Sequence, residues 1–584
     1  MKYVLVSGGV ISGVGKGIIA SSCGLLFKTA GLTVSTIKID PYLNIDAGLM
    51  NVSSLIPSKF VIHGEVFVCD DGAETDLDLG NYERYLGVTL GGDNNITTGK
   101  IYDHVIRKER RGDYLGKTVQ IVPHLTNEIQ NWVERVAKIA VDESGREPDL
   151  GGTVGDIESA PFVEAMSQLQ RRAGKDNFLQ IQVSYVPLIG SEQKTKPTQR
   201  AISDVRSAGL RPDLIACRCE TPLEEATIQK IANSCQVERA QVVGVHNVTT
   251  TYQVPILLEK QGFLHTISGL LKIDAIPKEQ KLLEYGKLMW QEWQGLALSQ
   301  DHVFETVTIA LVGKYTSLHD SYMSVSKALE HAAMHCRRKL QLIWVESSHL
   351  EEEHRNNKPG EYHTAWQQLT TASGILVPGG FGERGTEGMI KSAQWARSNN
   401  VPYLGICLGM QLAVVEFARN VCGMDKAGSA EFNEQCEQPV IVYMPEIDKS
   451  KMGGTMRLGK RATIFQSGSE WSRLRKLYGE KEEVWERHRH RYEVNPSLIE
   501  QLEDGGLSFI GKDEAGERME IIELKDHKWF VGVQFHPEYL SRVLAPSKTF
   551  LGFFAAAAGC LEPITEVFKD RHDLSHQQAK LPVV

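Results

Sequence analysis

Paired cysteines are missing from this 584-residue chain: its ten cysteines are scattered, and none stands in C-x-x-C spacing. That excludes a disulfide-stapled scaffold and a cysteine-held zinc cluster, and it suits a reduced compartment. Long apolar runs are missing too. None reaches the ~18 to 20 residues that a membrane-crossing helix needs. The opening MKYVLVSGGV runs into glycines too early for a secretory leader, so a cytoplasmic chain without membrane contact is expected. Nor is there a basic excess: 64 Lys and Arg stand against 73 Asp and Glu, a net charge of -9. A dedicated nucleic-acid binder carries the opposite balance, so no nucleic-acid partner is expected. No internal repeat or low-complexity tract is present, which removes solenoids and disordered arrays.

What is present is globular material, 42% hydrophobic and 23% charged, in a chain too long for one core. Short apolar runs ended by turn residues read as buried strands: YVLVSGG (3–9), TVSTIKIDPY (33–42), FLQIQVSYVP (178–187), PDLIACR (212–218) and QVVGVHNV (241–248). Helical stretches alternate with them, which implies a parallel, doubly wound α/β domain over residues 1–272. Residues 273–303 hold one amphipathic helix and read as an inter-domain connection. A second doubly wound series starts at TVTIALVGKY and fills 304–560, and the polar 561–584 reads as a loose tail.

The stretch SGGVISGVGKGIIASS (7–22) looks like a phosphate loop but breaks its rule. Five residues rather than four separate Gly9 from Gly15, and Gly17 replaces the Ser or Thr after Lys16. Lys38 ends the next strand, in KIDPY. The acidic DDGAETDLDLG (70–80) suits a hard cation such as Mg²⁺ through Asp71, although acidic runs are more often solvated loops. Lys194 and Lys196 of SEQKTKPTQ suit a triphosphate, or are ordinary surface lysines.

In the second half, YLGICLGMQLAVVEFA reads as strand, sharp turn and helix with Cys407 at the turn. Such a turn needs glycines, here Gly405 and Gly409, and it sets the thiol at a helix N-terminus that favours thiolate. The bland reading is a buried structural cysteine. VQFHPE raises the odds for chemistry, because His536 and Glu538 point the same way on extended chain. A Glu that orients a His that activates a Cys is triad logic. Gly379-Gly380 in VPGGFG adds main-chain N–H groups for an oxyanion, with the N–H of Leu408 as the second donor.

PGGFG, GICLGMQ and FHPE together resemble the class I glutamine amidotransferases, over roughly residues 304–560. The resemblance implies that Cys407 attacks the glutamine side-chain amide, forms a glutamyl thioester and releases ammonia. It implies that Gly379, Gln411, Glu431 and Arg491 hold the glutamine. The first-half stretches GGVISGVGKG, KIDPY, HGEVFV, DLDLGNYER, KERRGDYLGKTVQ, GGTVGDIES and KTKPTQ, in this order, resemble the CTP synthases. With the second half included, that resemblance covers nearly the whole chain. It implies an amidoligase in which ATP phosphorylates the uracil 4-oxygen of UTP and ammonia displaces the phosphate. Ser12, Gly13, Val14, Gly15, Lys16, Gly17, Lys38, Asp71, Asn247 and Val248 would then contact ATP. Ser12, Gln120, Asp156, Glu158, Lys194, Lys196, Gln199 and Lys230 would contact UTP or the product inhibitor CTP. The family also implies GTP as activator, matched at Arg384, Mg²⁺ on Asp71 and Asp149, and homotetramers that in some members form filaments.

Two stretches depart from that pattern. Residues 49–62 are several residues longer than the family's short Ser-Pro link, at the family's ammonia route. ESGREPDLGGT (143–153) lacks the expected apolar strand, and Asp149 stands where the family has a Glu metal ligand. A central strand through Pro148 and Asp149 is therefore not expected. The competing functional reading is a synthetase-impaired paralogue or mis-spliced form that keeps glutaminase activity and serves as an assembly or regulatory partner.

Overall fold

A computed structural model describes residues 1–8, 13–50, 64–138, 159–445 and 454–567, together with the main chain of 148–153. The chain divides into two units, Met1–Asp46 with Asp78–Asp301, and Ala47–Leu77 with His302–Val584.

The first unit is built on a seven-stranded sheet. In chain order its strands are β1 (Tyr3–Gly8), β2 (Ser35–Asp40), β3 (Asn95–Thr97), β4 (Pro148–Thr153), β5 (Phe178–Val186), β6 (Leu214–Cys219) and β7 (Val242–Val245). Their spatial order is β7-β6-β5-β1-β4-β2-β3, and every pairing is parallel. All six residues of β1 are buried, as a strand covered on both faces requires. Tyr3, Leu5, Ile37, Ile39 and Ile96 meet Ile129, Val133 and Met166 in one core.

β4 corrects the expectation of a missing strand. It lies between β1 (Val4↔Asp149, Gly8↔Thr153) and β2 (Ser35↔Pro148, Lys38↔Gly151). A strand is held by its main-chain ladder, and here two neighbours supply partners on both sides. Pro148 stands at the first position of the strand, where a missing N–H is tolerated.

Helix α1 (Lys16–Thr29) follows the glycine loop, and α2 (Gln280–Ser299) packs against it. The approach is close: a Cβ on Gly286 would lie 2.6 Å from the Thr29 carbonyl oxygen. Trp293 of α2 is buried and donates to the Tyr252 carbonyl at 2.9 Å.

The second unit holds a nine-stranded mixed sheet. Its strands are β8 (Thr306–Gly313), β9 (Lys339–Glu346), β10 (Gly374–Val377), β11 (Tyr403–Ile406), β12 (Arg457–Phe465), β13 (Glu483–His490), β14 (Ser508–Lys512), β15 (Met519–Glu523) and β16 (Phe530–Val533). The order is β9-β8-β10-β11-β16-β15-β14-β12-β13, parallel from β9 to β16 and antiparallel beyond. Alternation along β8 divides its side chains between two cores. Ala310 and Val312 join one, while Val307, Ile309 and Leu311 join the other. Helix α3 (Met323–Cys336) and helix α5 (Lys548–Ala557) pack side by side, and α4 (Leu408–Asn420) follows β11.

The tail also needs correction over its first residues. Residues 561–567 are helical, and Leu561 and Ile564 pack on the second core, so an apolar pair three residues apart anchors them.

Candidate active sites

Cys407 joins β11 to α4 with φ 52° and ψ -104°, a strained conformation for any residue but glycine. The flanking glycines are required by space. A Cβ on Gly405 would lie 2.6 Å from the Gly409 carbonyl oxygen, and one on Gly409 would lie 2.0 Å from that of Val377. The Cys407 N–H is anchored on the Val533 carbonyl at 2.7 Å. The predicted elbow is therefore present, with the thiol at the head of a 13-residue helix.

His536 and Glu538 follow β16. The His536 Nδ1 is 2.7 Å from Glu538 Oε1, and both side chains are almost fully buried. Burial opposes charge on the imidazole, but the Glu538 carboxylate and the nearby Cys407 outweigh it and raise its pKa to about 10. Its ring stacks on Tyr539. Gly379 lies against both partners: a Cβ there would sit 2.8 Å from His536 Cε1 and 3.5 Å from Cys407 Cβ. A Cβ on Gly380 would sit 3.5 Å from Leu408 Cδ2. Cys407, His536, Glu538, Gly379 and Gly380 line one cleft, and Leu408 stands beside it.

Of the residues expected to hold the glutamine, Gly379 lines that cleft, while Gln411, Glu431 and Arg491 are not among its lining. Gln411 is buried and its amide donates to the Tyr492 carbonyl at 3.0 Å and to Gln534 Oε1 at 3.1 Å. Glu431 accepts the Gly382 N–H at 2.9 Å. Burial raises its carboxyl, against the pull of Lys314 and Arg491. Arg491 thus acts on Glu431. Two participants were not read from the sequence. Gln534 donates to the Cys407 sulfur at 3.5 Å. Lys314 is buried at the end of β8, and its ammonium donates to the Phe381 and Gly382 carbonyls of the glycine turn. Burial lowers its pKa to about 8. Its position in VGKY, just after a buried strand, was the available signal. Arg384 pairs with Glu346 and donates to the Lys314 carbonyl.

In the first unit, Gly13 (φ 74°) and Gly15 (φ 98°) take left-handed conformations that let the loop turn into α1. Val14 is buried and Lys16 folds back over Gly8, where a Cβ would meet its side chain at 2.5 Å. Lys38 lies 2.5 Å from Asp78 and 3.2 Å from Asp40. Burial opposes the Asp78 charge, but Lys38 and Lys16 hold its carboxyl below the usual range. A Cβ on Gly17 would lie 2.9 Å from Asp78 Oδ1. Asp78 therefore occupies the place beside the loop that a Ser or Thr side chain would need. It was missed as an individual residue, although it lies within the acidic stretch singled out.

Two of the other acids of that stretch, in the second unit, meet protein cations. Asp70 pairs with Arg487 at 2.5 Å and Lys460 at 3.0 Å, and Glu74 pairs with Arg489 at 2.8 Å. Asp71 is exposed and accepts the Ala73 N–H at 3.0 Å. Lys194 pairs with Glu192, on which Lys230 also acts, and Gln199 donates to Thr195 at 3.1 Å. Lys196 is exposed at the start of the helix Lys196–Ser207. Gln120 is exposed, with its N–H on His124. Asn247 accepts from Arg218, and Val248 follows it in a loop after β7. Ser12, Asp156 and Glu158 lie outside the described residues, as do the Asp149 side chain and the lengthened segment from residue 51 on.

Comparison with known proteins covers both halves. Residues 2–273 match the family described as CTP synthase N-terminus, and residues 317–556 match glutamine amidotransferase class-I. A CTP synthase of Schizosaccharomyces pombe is 64% identical over 96% of this chain and 93% of its own length. One of Neurospora crassa is 61% identical over 98% of each chain. CTP synthase 1 of Saccharomyces cerevisiae is 58% identical over 99% of this chain and 100% of its own. Among solved structures, the Trypanosoma brucei CTPS glutaminase domain with bound acivicin is 39% identical, covering 43% of this chain and 94% of that domain, with a TM-score of 0.40.

Proposed function

The chain belongs to the CTP synthase family, and from that premise we propose how its residues carry out the reaction. The activity is ATP-driven conversion of UTP to CTP with glutamine as nitrogen donor. Near-full-length likeness to CTP synthases carries this reading, with the Cys407 elbow and the His536–Glu538 pair in support. No observation favours the synthetase-impaired alternative, because the central strand on which it leaned is present as β4.

Cys407 is the nucleophile. Its thiolate adds to the glutamine carboxamide carbon, and the N–H groups of Gly380 and Leu408 receive the oxyanion. His536, held as imidazolium by Glu538, gives its proton to the departing ammonia. Water then hydrolyses the thioester to glutamate. Gln411, Glu431 and Arg491 hold the amino-acid end, with Lys314 keeping the glycine turn in place.

The released ammonia is the nucleophile of the second half-reaction. The uracil 4-oxygen is a poor leaving group until phosphorylated. ATP therefore transfers its γ-phosphoryl group there, and ammonia displaces phosphate. The glycine loop and the α1 N-terminus suit phosphate, and Lys16 and Lys38 supply positive charge. Asp78 sets both lysine heads. Mg²⁺, held by Asp71 and Asp149, would screen phosphate charge, and carboxylate oxygens are the right donors for that hard cation. Asn247 and Val248 would meet the adenine side of ATP. Lys194, Lys196, Gln199 and Lys230, with Gln120, Asp156 and Glu158, would contact UTP or inhibitory CTP. Arg384 is proposed for the activator GTP. Domain limits of 1–272, 273–303 and 304–560, a homotetramer, filaments and a cytoplasmic location belong to the same reading. No described helix is long and apolar enough to cross a membrane. Formation of CTP from UTP and ATP with glutamine as the nitrogen source tests the proposal, and glutamate release without CTP would overturn it.

A further inference from the structure

Three metal-ligating side chains converge in the second unit, and none of them lines the glutamine cleft. His349 stands in the helical turn Ser347–Leu350, directly after β9. His354 lies on the short helix Glu352–Asn357 and Glu361 on the helix Pro359–Thr370. Pro359 opens that second helix, where its missing N–H costs nothing, and the bend before it folds Glu361 back towards His354. The Glu361 Oε2 is 2.9 Å from His354 Nε2 and 3.4 Å from His349 Nε2. All three ligand atoms lie within 4.8 Å of one another. The two imidazoles stack with ring centres 4.3 Å apart and planes at 18°. Lys358 holds the other carboxylate oxygen, Oε1, at 3.1 Å and comes within 3.4 Å of Oε2. Both histidines are half-buried and Glu361 is exposed, so solvent reaches the group. A second gathering, His488, His490 and Glu520, is fully buried, and there Arg457 already pairs with Glu520.

We propose that His349, His354 and Glu361 form a binding site for a divalent transition-metal ion of the zinc class. Metal–ligand bonds of ~2.0 to 2.1 Å in tetrahedral geometry set neighbouring ligand atoms about 3.3 Å apart. The separations of 2.9 and 3.4 Å from Glu361 Oε2 bracket that value. Two imidazoles and one carboxylate are donors for a borderline cation, whereas Mg²⁺ and Ca²⁺ take oxygen. Stacked rings present their Nε2 atoms side by side. Each ring therefore turns about its Cβ–Cγ bond to aim at one point, and that torsion is soft for histidine. Without a metal the Nε2–H groups serve the Glu361 carboxylate. With one, the Nε2 lone pairs bind the cation and each imidazole carries its proton on Nδ1, so no net proton is released. Lys358 anchors Glu361 through Oε1, which leaves Oε2 to the metal, as hydrogen bonds to ligating carboxylates commonly do. Three protein ligands leave the fourth position to water. The bound ion would tie three consecutive segments together. The first of them begins just after Glu346, the residue that pairs with Arg384.

The test uses the full-length protein carrying Cys407→Ala, so that the catalytic thiol takes no metal. Zn²⁺ is titrated against a chromogenic chelator, with and without His354→Ala in the same chain. The chain that keeps His354 should hold one more equivalent of zinc. Glu361→Gln should weaken that equivalent by at least the ~10-fold that loss of an outer-shell partner costs. Co²⁺ should give the visible absorption of a tetrahedral site with His349 and His354 present, and lose it with either replaced by Ala. Zinc should raise the unfolding midpoint of the parent chain more than that of the His354→Ala chain. In the wild-type background His354→Ala should still release glutamate, which shows that it folds, and His349→Ala serves as the second variant. Equal zinc content with and without His354 would overturn the proposal. So would a Co²⁺ spectrum that both alanine variants leave unchanged.

Discussion

Replacing Glu538 by Gln probes the charge that holds the His536 proton. The amide keeps an acceptor oxygen in place of the carboxylate 2.7 Å from Nδ1, but it removes the negative charge. An unperturbed imidazole titrates near ~6.5, and burial alone takes it lower. His536 is raised to about 10, with Glu538 the foremost of the causes that raise it. The gap of about 3.5 pH units corresponds to roughly 5 kcal/mol in favour of imidazolium, shared between Glu538 and the Cys407 contact. Without the carboxylate, burial should dominate. The alkaline limb of glutaminase activity should move down by about 2 pH units or more, and the rate near pH 8 should fall by roughly 10²- to 10³-fold. The stability signature has a definite sign. A pKa raised on folding stabilises the wild type fully below ~6.5, and that contribution disappears as pH rises through about 10. Glu538→Gln should be less stable at neutral pH and lose less on going alkaline. Glutamate release between about pH 6 and 11, alongside thermal unfolding, measures both effects. An alkaline limb that stays in place would refute the account of His536.

Two further substitutions separate the halves. Gly409→Ala sets a methyl group 2.0 Å from the Val377 carbonyl oxygen. It should remove about 3 kcal/mol or more of folding stability, read as a lowered unfolding midpoint with loss of glutaminase. Asp78→Asn releases Lys38 and Lys16 from the acid that sets them. Synthesis from ammonia should fall by about 10- to 100-fold while glutamate release stays unchanged, a split that assays of the two half-reactions resolve.

Much of the architecture was legible because buried parallel strands leave apolar runs, as β1, β6 and β7 do, while β2 and β5 alternate apolar residues with polar ones that are mostly buried as well. β4 was not legible. Its PDLGGT carries no apolar run, and it forms because neighbouring ladders are available on both sides. The elbow was legible because its geometry requires glycines at fixed offsets from Cys407. Lys314 and Asp78 were not, because what singles them out is who meets them in space. A lysine after a strand reads as solvated until Phe381 and Gly382 are seen to cap it. One acid in a run of acids reads like the others until Lys38 and Gly17 are seen against it. The same blindness hid the diversion of Asp70 and Glu74 to Arg487 and Arg489, more than four hundred residues away.

The central claim is that one chain couples a Cys407 glutaminase to an intact ATP-driven synthesis of CTP. Its most direct measurement is CTP formation by Cys407→Ala with UTP, ATP and Mg²⁺, supplied with either glutamine or ammonium. The account predicts no CTP from glutamine and undiminished CTP from ammonium. Failure of the wild-type chain to form CTP from ammonium, or glutamine-dependent CTP from the variant, would contradict it.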